Sequence, residues 1–140
     1  MNSRLDELQA AALRVLLPHL DGWTEARRLV ASRYVDSGLG ELVTLPPQTP
    51  GAEPAYHLYV VRTPHRDRLH GALEAAGIES RAYYTPALPR QPALTPYVDG
   101  RAYPAADRLA DEGLALPMGP ALEESGVRKV ATAVADALSA

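Results

Sequence analysis

Residues 57–84 read HLYVVRTPHRDRLHGALEAAGIESRAYY and change twice between a strand pattern and a helix pattern. Residues 57–62 are rich in β-branched and aromatic side chains, which predicts a strand. The Thr-Pro pair at 63–64 begins a helix, because threonine caps helices and proline suits the first helical position. Gly77 ends that helix, and residues 80–84 return to a strand pattern.

The segments on either side predict a mixture of further helices and strands. They are a helix over residues 3–36 with a kink or break at Pro18, a strand at 42–45, a loop at 85–103, a helix at 105–112, a strand at 114–117 and a last helix from Glu123. The elements do not follow a strict β-α-β alternation. We therefore predict an α+β fold in which helices cover one short antiparallel or mixed sheet.

The predicted first helix is unusually long and has an apolar stripe. We expect Asn2 or Ser3 to cap it, and its apolar side chains repeat at three- and four-residue spacing. That stripe contains Leu5, Leu8, Ala12, Val15 and Leu16. A helix of about 30 residues is far longer than the usual 11–12. It needs more protein to pack against than the rest of the chain offers.

The same periodicities predict the hydrophobic core. In the strand at 57–62, we expect Leu58 and Val60 to face the core and Tyr59 and Val61 to face away, because strand side chains alternate. The full predicted core is Leu58, Val60, Leu69, Leu73, Ile78, Val127, Val130 and Val134.

Composition excludes several function classes. The chain has 140 residues, of which 46% are hydrophobic and 22% charged, so it forms one domain with a sizeable core. Its net charge of −3 gives no basic excess for binding nucleic acid. It contains no cysteine, and neither a signal peptide nor an apolar run long enough to span a membrane. We expect a cytoplasmic protein.

The sequence contains no complete catalytic machinery. Its four histidines lack metal-ligand spacing, so no metal site is expected. No G-x-S-x-G, P-loop or G-x-G-x-x-G motif occurs. Lys129 is the only lysine among fourteen basic residues and is predicted to be an ordinary surface residue. We therefore name no catalytic residue.

Two segments stand out against this background. Residues 2–11, NSRLDELQAA, read by themselves as a capped helix start, and residues 83–92, YYTPALPRQP, as a surface connector. Together with motifs between and after them, they resemble the DegT/DnrJ/StrS sugar aminotransferases. Those motifs are Leu17-Pro18-His19-Leu20-Asp21, Trp23, Arg27-Arg28, Arg33-Tyr34, residues 56–61, Gly77-Ile78, residues 106–110 and Leu116-Pro117-Met118.

The resemblance implies the small C-terminal domain of a transferase of fold type I that depends on pyridoxal 5′-phosphate (PLP). Residues 1–36 would form a long inter-domain helix, and residues 37–140 an α+β small domain. The complete enzyme would move an amino group from an amino acid such as glutamate to the keto-sugar of a nucleotide sugar. Its Schiff-base lysine would lie in a larger N-terminal domain, so we expect this chain to be inactive alone and to hold no PLP.

The resemblance also implies roles for individual residues. Asn2 would reach the PLP phosphate of a neighbouring subunit, with Arg4 close by. The loop at the substrate entrance would contribute Tyr83, Tyr84, Arg90 and Gln91. Tyr84 and Gln91 keep the family pattern, whereas Tyr83 departs from it.

Association follows from the same resemblance. We expect a homodimer or association with a PLP-binding N-terminal domain. Two other interpretations remain open. One is a separate interaction module that keeps the fold without the chemistry, and the other is a small-molecule binding domain that uses Tyr83, Tyr84 and Arg90.

Overall fold

The computed structural model describes residues 4–139 as five helices, two strands and connecting 3₁₀ turns. The helices are α1 (Glu7–Leu16), α2 (Leu20–Asp36), α3 (Arg66–Ala75), α4 (Pro104–Glu112) and α5 (Glu124–Leu138), and the strands are β1 (Tyr59–Arg62) and β2 (Gly113–Leu116). The 3₁₀ turns are Leu17–His19, Leu39–Glu41, Leu88–Arg90 and Pro92–Tyr97. Within residues 4–139, no helix is long and apolar enough to cross a bilayer.

The sheet is shorter than the sequence predicts. Strands β1 and β2 pair antiparallel, with Tyr59 opposite Leu116. The segments predicted as strands at 42–45 and 80–84 add only one bridge each, Thr44 to Arg62 and Arg81 to Ala115. Two prolines follow the first segment directly and cannot donate to a ladder. The second segment turns away at Tyr83 into the long loop. The α+β fold with an antiparallel sheet is confirmed.

Helices α2, α3 and α5 form the core together with one face of the sheet. The core side chains are Val30, Ala31, Tyr34, Leu39, Val43, Tyr59, Val61, Leu69, Leu73, Ile78, Leu114, Leu116, Val127, Val130, Val134 and Ala137. Tyr34 stacks on Tyr59 with ring centroids 5.0 Å apart, and its hydroxyl donates to the Pro117 carbonyl at 2.8 Å. Helix α4 packs on both strands and contributes no side chain to this cluster.

The predicted orientation of strand β1 is wrong. Tyr59 and Val61 are buried in the core, whereas Leu58 and Val60 are only half-buried. The register pairs Val61 with Leu114 on the face that the helices cover. Because side chains alternate along a strand, an error of one residue exchanges the two faces. The other predicted core residues, Leu69, Leu73, Ile78, Val127, Val130 and Val134, are buried.

The first helix begins later than predicted. Its N-cap is Asp6, whose carboxylate accepts from the Gln9 amide at 2.8 Å. The Gln9 side chain accepts from the Asp6 amide at 3.3 Å, which completes a capping box. The predicted caps Asn2 and Ser3 lie outside the described residues. At Pro18 the helix changes to a single 3₁₀ turn before α2 continues.

Candidate functional site

The long loop after the Arg81 bridge begins with two tyrosines at the edge of the sheet. Tyr83 is partly exposed, and Tyr84 is 75% exposed, with their rings edge to face at 5.4 Å. Tyr83 lines two open clefts of about 480 and 350 Å³, the first beside His70 on α3 and the second beside Met118. The Tyr83–Tyr84 and Thr85–Pro86 peptide bonds are both cis. The loop therefore presents aromatic surface at the mouth of two clefts.

Arg90 and Gln91 hold the loop together. The Arg90 guanidinium donates two hydrogen bonds to the Asp107 carboxylate, from Nε to Oδ1 at 3.0 Å and from Nη2 to Oδ2 at 2.8 Å. This contact lowers the pKa of Asp107 below its usual range. The Gln91 side chain donates to the Pro86 carbonyl at 2.8 Å. Both residues predicted to bind substrate thus make contacts within the chain.

A second polar contact supports the wall of the larger cleft. His70 Nδ1 lies 2.8 Å from the Ser80 hydroxyl oxygen. Ser80 is buried and His70 is exposed. The contact joins helix α3 to the segment that leads into Tyr83. It therefore holds the part of the cleft wall that contains Tyr83 against helix α3.

Arg4, predicted to lie near the cofactor phosphate, is exposed two residues before the cap Asp6. Asn2, its predicted partner in that role, lies outside the described residues. In the described part of the chain, the structure joins Arg4 to none of the loop residues by a hydrogen bond or ion pair. Tyr83 and Tyr84 contact each other, whereas Arg90 and Gln91 bond to Asp107 and Pro86, and Arg4 stands apart from both pairs.

An apolar groove of about 510 Å³ runs along α1 and the start of α2. It is lined by Leu5, Ala10, Leu13, Arg14, Leu16, Leu17, Leu20 and Trp23. Helix α1 has no buried residue, so within residues 4–139 no element covers this groove. Only Leu5 and Leu16 belong also to the predicted stripe. Four of the other lining residues form a second series at three- and four-residue spacing, and this signal was available in the sequence: Leu13, Leu17, Leu20 and Trp23.

Comparison with known proteins identifies the family. The model of the DegT/DnrJ/EryC1/StrS aminotransferase family matches residues 1–135. The chain belongs to this family. A pleiotropic regulatory protein of Geobacillus stearothermophilus is 41% identical over an alignment of 140 positions, which covers 96% of this chain and 37% of that protein. The dTDP-3-amino-3,4,6-trideoxy-alpha-D-glucose transaminase of Streptomyces venezuelae is also 41% identical over an alignment of 140 positions, which covers 95% of this chain and 36% of that enzyme.

Solved structures of family members have the same fold. S. venezuelae DesV, in complex with a ketimine intermediate, superposes with a TM-score of 0.91 at 38% identity and covers 97% of this chain. A Brucella abortus member superposes with a TM-score of 0.92 at 34% identity over the whole chain. The chain covers 37% and 38% of these two structures. It therefore spans little more than a third of the length of the relatives it matches.

The family is PLP-dependent, so we ask whether these residues could hold PLP. The cofactor is attached through a lysine amine, and the only lysine is Lys129, exposed on α5. It lines none of the clefts described above. The described residues therefore do not form a PLP site by themselves.

Proposed function

We propose that this chain acts as the C-terminal portion of a PLP-dependent nucleotide-sugar aminotransferase. One observation carries the proposal. The described residues superpose almost completely, at 34–38% identity, on little more than a third of two family members. The complete enzyme would transfer an amino group from an amino acid such as glutamate to a keto-sugar. PLP would supply that chemistry from protein outside this sequence.

This chain would contribute surfaces to the complete enzyme. The apolar groove would pack on the PLP-binding domain, because apolar surface of this kind is stabilised when it leaves water. Tyr83 and Tyr84 would border the substrate entrance, where aromatic rings pack well on sugar and base faces. Arg4, with Asn2, would lie near the cofactor phosphate of a neighbouring subunit, because guanidinium and amide groups both donate well to phosphate.

The alternative of a separate module without transaminase chemistry is not favoured. Several relatives are transaminases, including those from S. venezuelae and Micromonospora megalomicea. In these two, the part that aligns with this chain is about the same fraction of the relative's length. A binding module that used only Tyr83, Tyr84 and Arg90 would leave the apolar groove exposed to water.

A chimera tests the proposal. The chain is fused to the part of the S. venezuelae transaminase with which it does not align. We expect that part alone to be inactive. We expect the fusion to bind PLP and to transfer the amino group from dTDP-3-amino-3,4,6-trideoxy-alpha-D-glucose to an added α-keto acid. The exchange Leu13→Asp in the groove should abolish activity, whereas Glu124→Gln on exposed α5 should not. A folded fusion that transfers no amino group would contradict the proposal.

A further inference from the structure

One ion pair ties the long loop to a helix. Arg90 lies in the 3₁₀ turn Leu88–Arg90, and Asp107 lies in the first turn of α4. Their two hydrogen bonds, at 3.0 and 2.8 Å, form the bidentate fork that fixes orientation as well as distance. The helix dipole further favours a carboxylate in the first turn. The arginine side chain thus joins the middle of the loop to a regular element.

The other side-chain hydrogen bonds found among the described residues of the loop stay inside it. Gln91 bonds to the Pro86 carbonyl, and Asp99 accepts from the Arg101 amide and the Tyr103 hydroxyl. Ala87 is the buried residue of the loop. These contacts shape the loop but do not fix its position on α4. Of the side-chain hydrogen bonds described for the loop, those between Arg90 and Asp107 are the ones that reach α4.

The loop carries aromatic rings toward solvent. Tyr84, at its start, is 75% exposed, and Tyr97, in its second 3₁₀ turn, is 83% exposed. We propose that the Arg90–Asp107 ion pair positions this loop, and that Arg90 influences nucleotide-sugar binding through the loop and without touching the substrate. The part of this inference that concerns substrate rests on the proposed function. Arg90 and Asp107 are then positioning residues.

The first test measures hydrogen exchange in the 140-residue chain. Asp107→Asn removes the charge and one acceptor at nearly constant volume. Amides of residues 88–99 should then exchange roughly two- to fivefold faster, the range that exposed ion pairs give. The amide of Val134 in the core should keep its rate. Glu124→Gln breaks the exposed Arg128–Glu124 pair and is the matched control, which should leave the loop unchanged.

Charge exchange supplies a stricter criterion. In the double variant Arg90→Asp/Asp107→Arg the two charges are exchanged and the ion pair is restored. Its loop amides should therefore exchange more slowly than those of Arg90→Asp alone or Asp107→Arg alone. An unchanged rate of amide hydrogen exchange in the loop of Asp107→Asn would overturn the inference. So would a double variant whose loop amides exchange as fast as those of the two single charge-reversal variants. This result does not depend on any enzymatic activity.

The second test uses the chimera described above. Asp107→Asn should raise KM for the nucleotide sugar roughly two- to fivefold and leave kcat unchanged, because the loop affects binding and not the chemical step. An unchanged KM together with faster loop exchange would overturn the role in substrate binding. A chimera that is inactive without any substitution would contradict the proposed function, and the hydrogen exchange would still decide the ion pair's role.

Discussion

Two buried tyrosines make the stability of this chain sensitive to alkaline pH. Burial, and to a smaller degree the neighbouring Tyr56, raise the pKa of Tyr59 to about 12, and burial also raises the pKa of Tyr34. In the unfolded chain both groups ionise near pH 10. Above that pH the native state therefore binds more protons than the unfolded state. Their contribution to stability is complete below pH 10 and is lost as the pH rises toward 12.

Urea unfolding across this range checks the sign. We expect the free energy of unfolding to fall above pH 10 by up to about 1.4 kcal/mol per pH unit for each such tyrosine. Tyr59→Phe should make the fall shallower, because one ionising group is removed. Tyr97→Phe is the control, since Tyr97 is 83% exposed and should not change the slope. Equal slopes in Tyr59→Phe and the unchanged chain would contradict this account.

Lys129 carries a prediction about cofactor chemistry. The lysine is exposed on α5 and lines no described cleft that could hold a cofactor. Purified chain incubated with PLP and then separated from unbound PLP should therefore retain no absorbance band near the visible edge that borohydride removes. Mass spectrometry after reduction should find Lys129 unmodified. A stoichiometric reduced adduct at Lys129 would mean that the chain has a PLP site of its own.

Strand β1 offers a matched pair of substitutions on neighbouring residues. Val61 is fully buried among the helices, whereas Val60 is half-buried on the opposite face. Val61→Ala should lower the free energy of unfolding by about 2–3 kcal/mol through lost burial and a cavity. Val60→Ala should cost roughly 1 kcal/mol or less. Denaturant unfolding distinguishes them, and equal losses would show that the sheet buries both faces alike.

The apolar groove along α1 and the start of α2 is exposed, and we expect it to determine whether the chain associates in solution. Leu13, Leu17 and Leu20 in this groove are each more than 45% exposed. Because apolar patches drive association, we expect a homodimer in solution, or a frayed α1 where the chain stays monomeric.

Sedimentation and hydrogen exchange of the same samples test this expectation. Leu13→Gln should weaken the dimer. Leu8→Gln is the matched control, because Leu8 is 84% exposed on the same helix but does not line the groove. A strict monomer with strong amide protection over Glu7–Leu16 would refute the expectation, as would equal effects of the two substitutions.

Local patterns in the sequence were sufficient for the helices, the fold class and the family. Proline and glycine end elements through backbone geometry, as at Gly77, and helical periodicity identifies the buried residues of α3 and α5. These inferences succeed because each depends on neighbours along the chain.

The contacts between distant segments required the tertiary structure. The buried face of β1 follows from its register with β2, some fifty residues later, because that pairing places Val61 opposite Leu114. No local pattern indicates that Arg90 pairs with Asp107, seventeen residues away. The cap at Asp6 rests on a local signal, because Gln9 three residues later completes the capping box. Pairing partners and register are set by packing energies that no single segment contains.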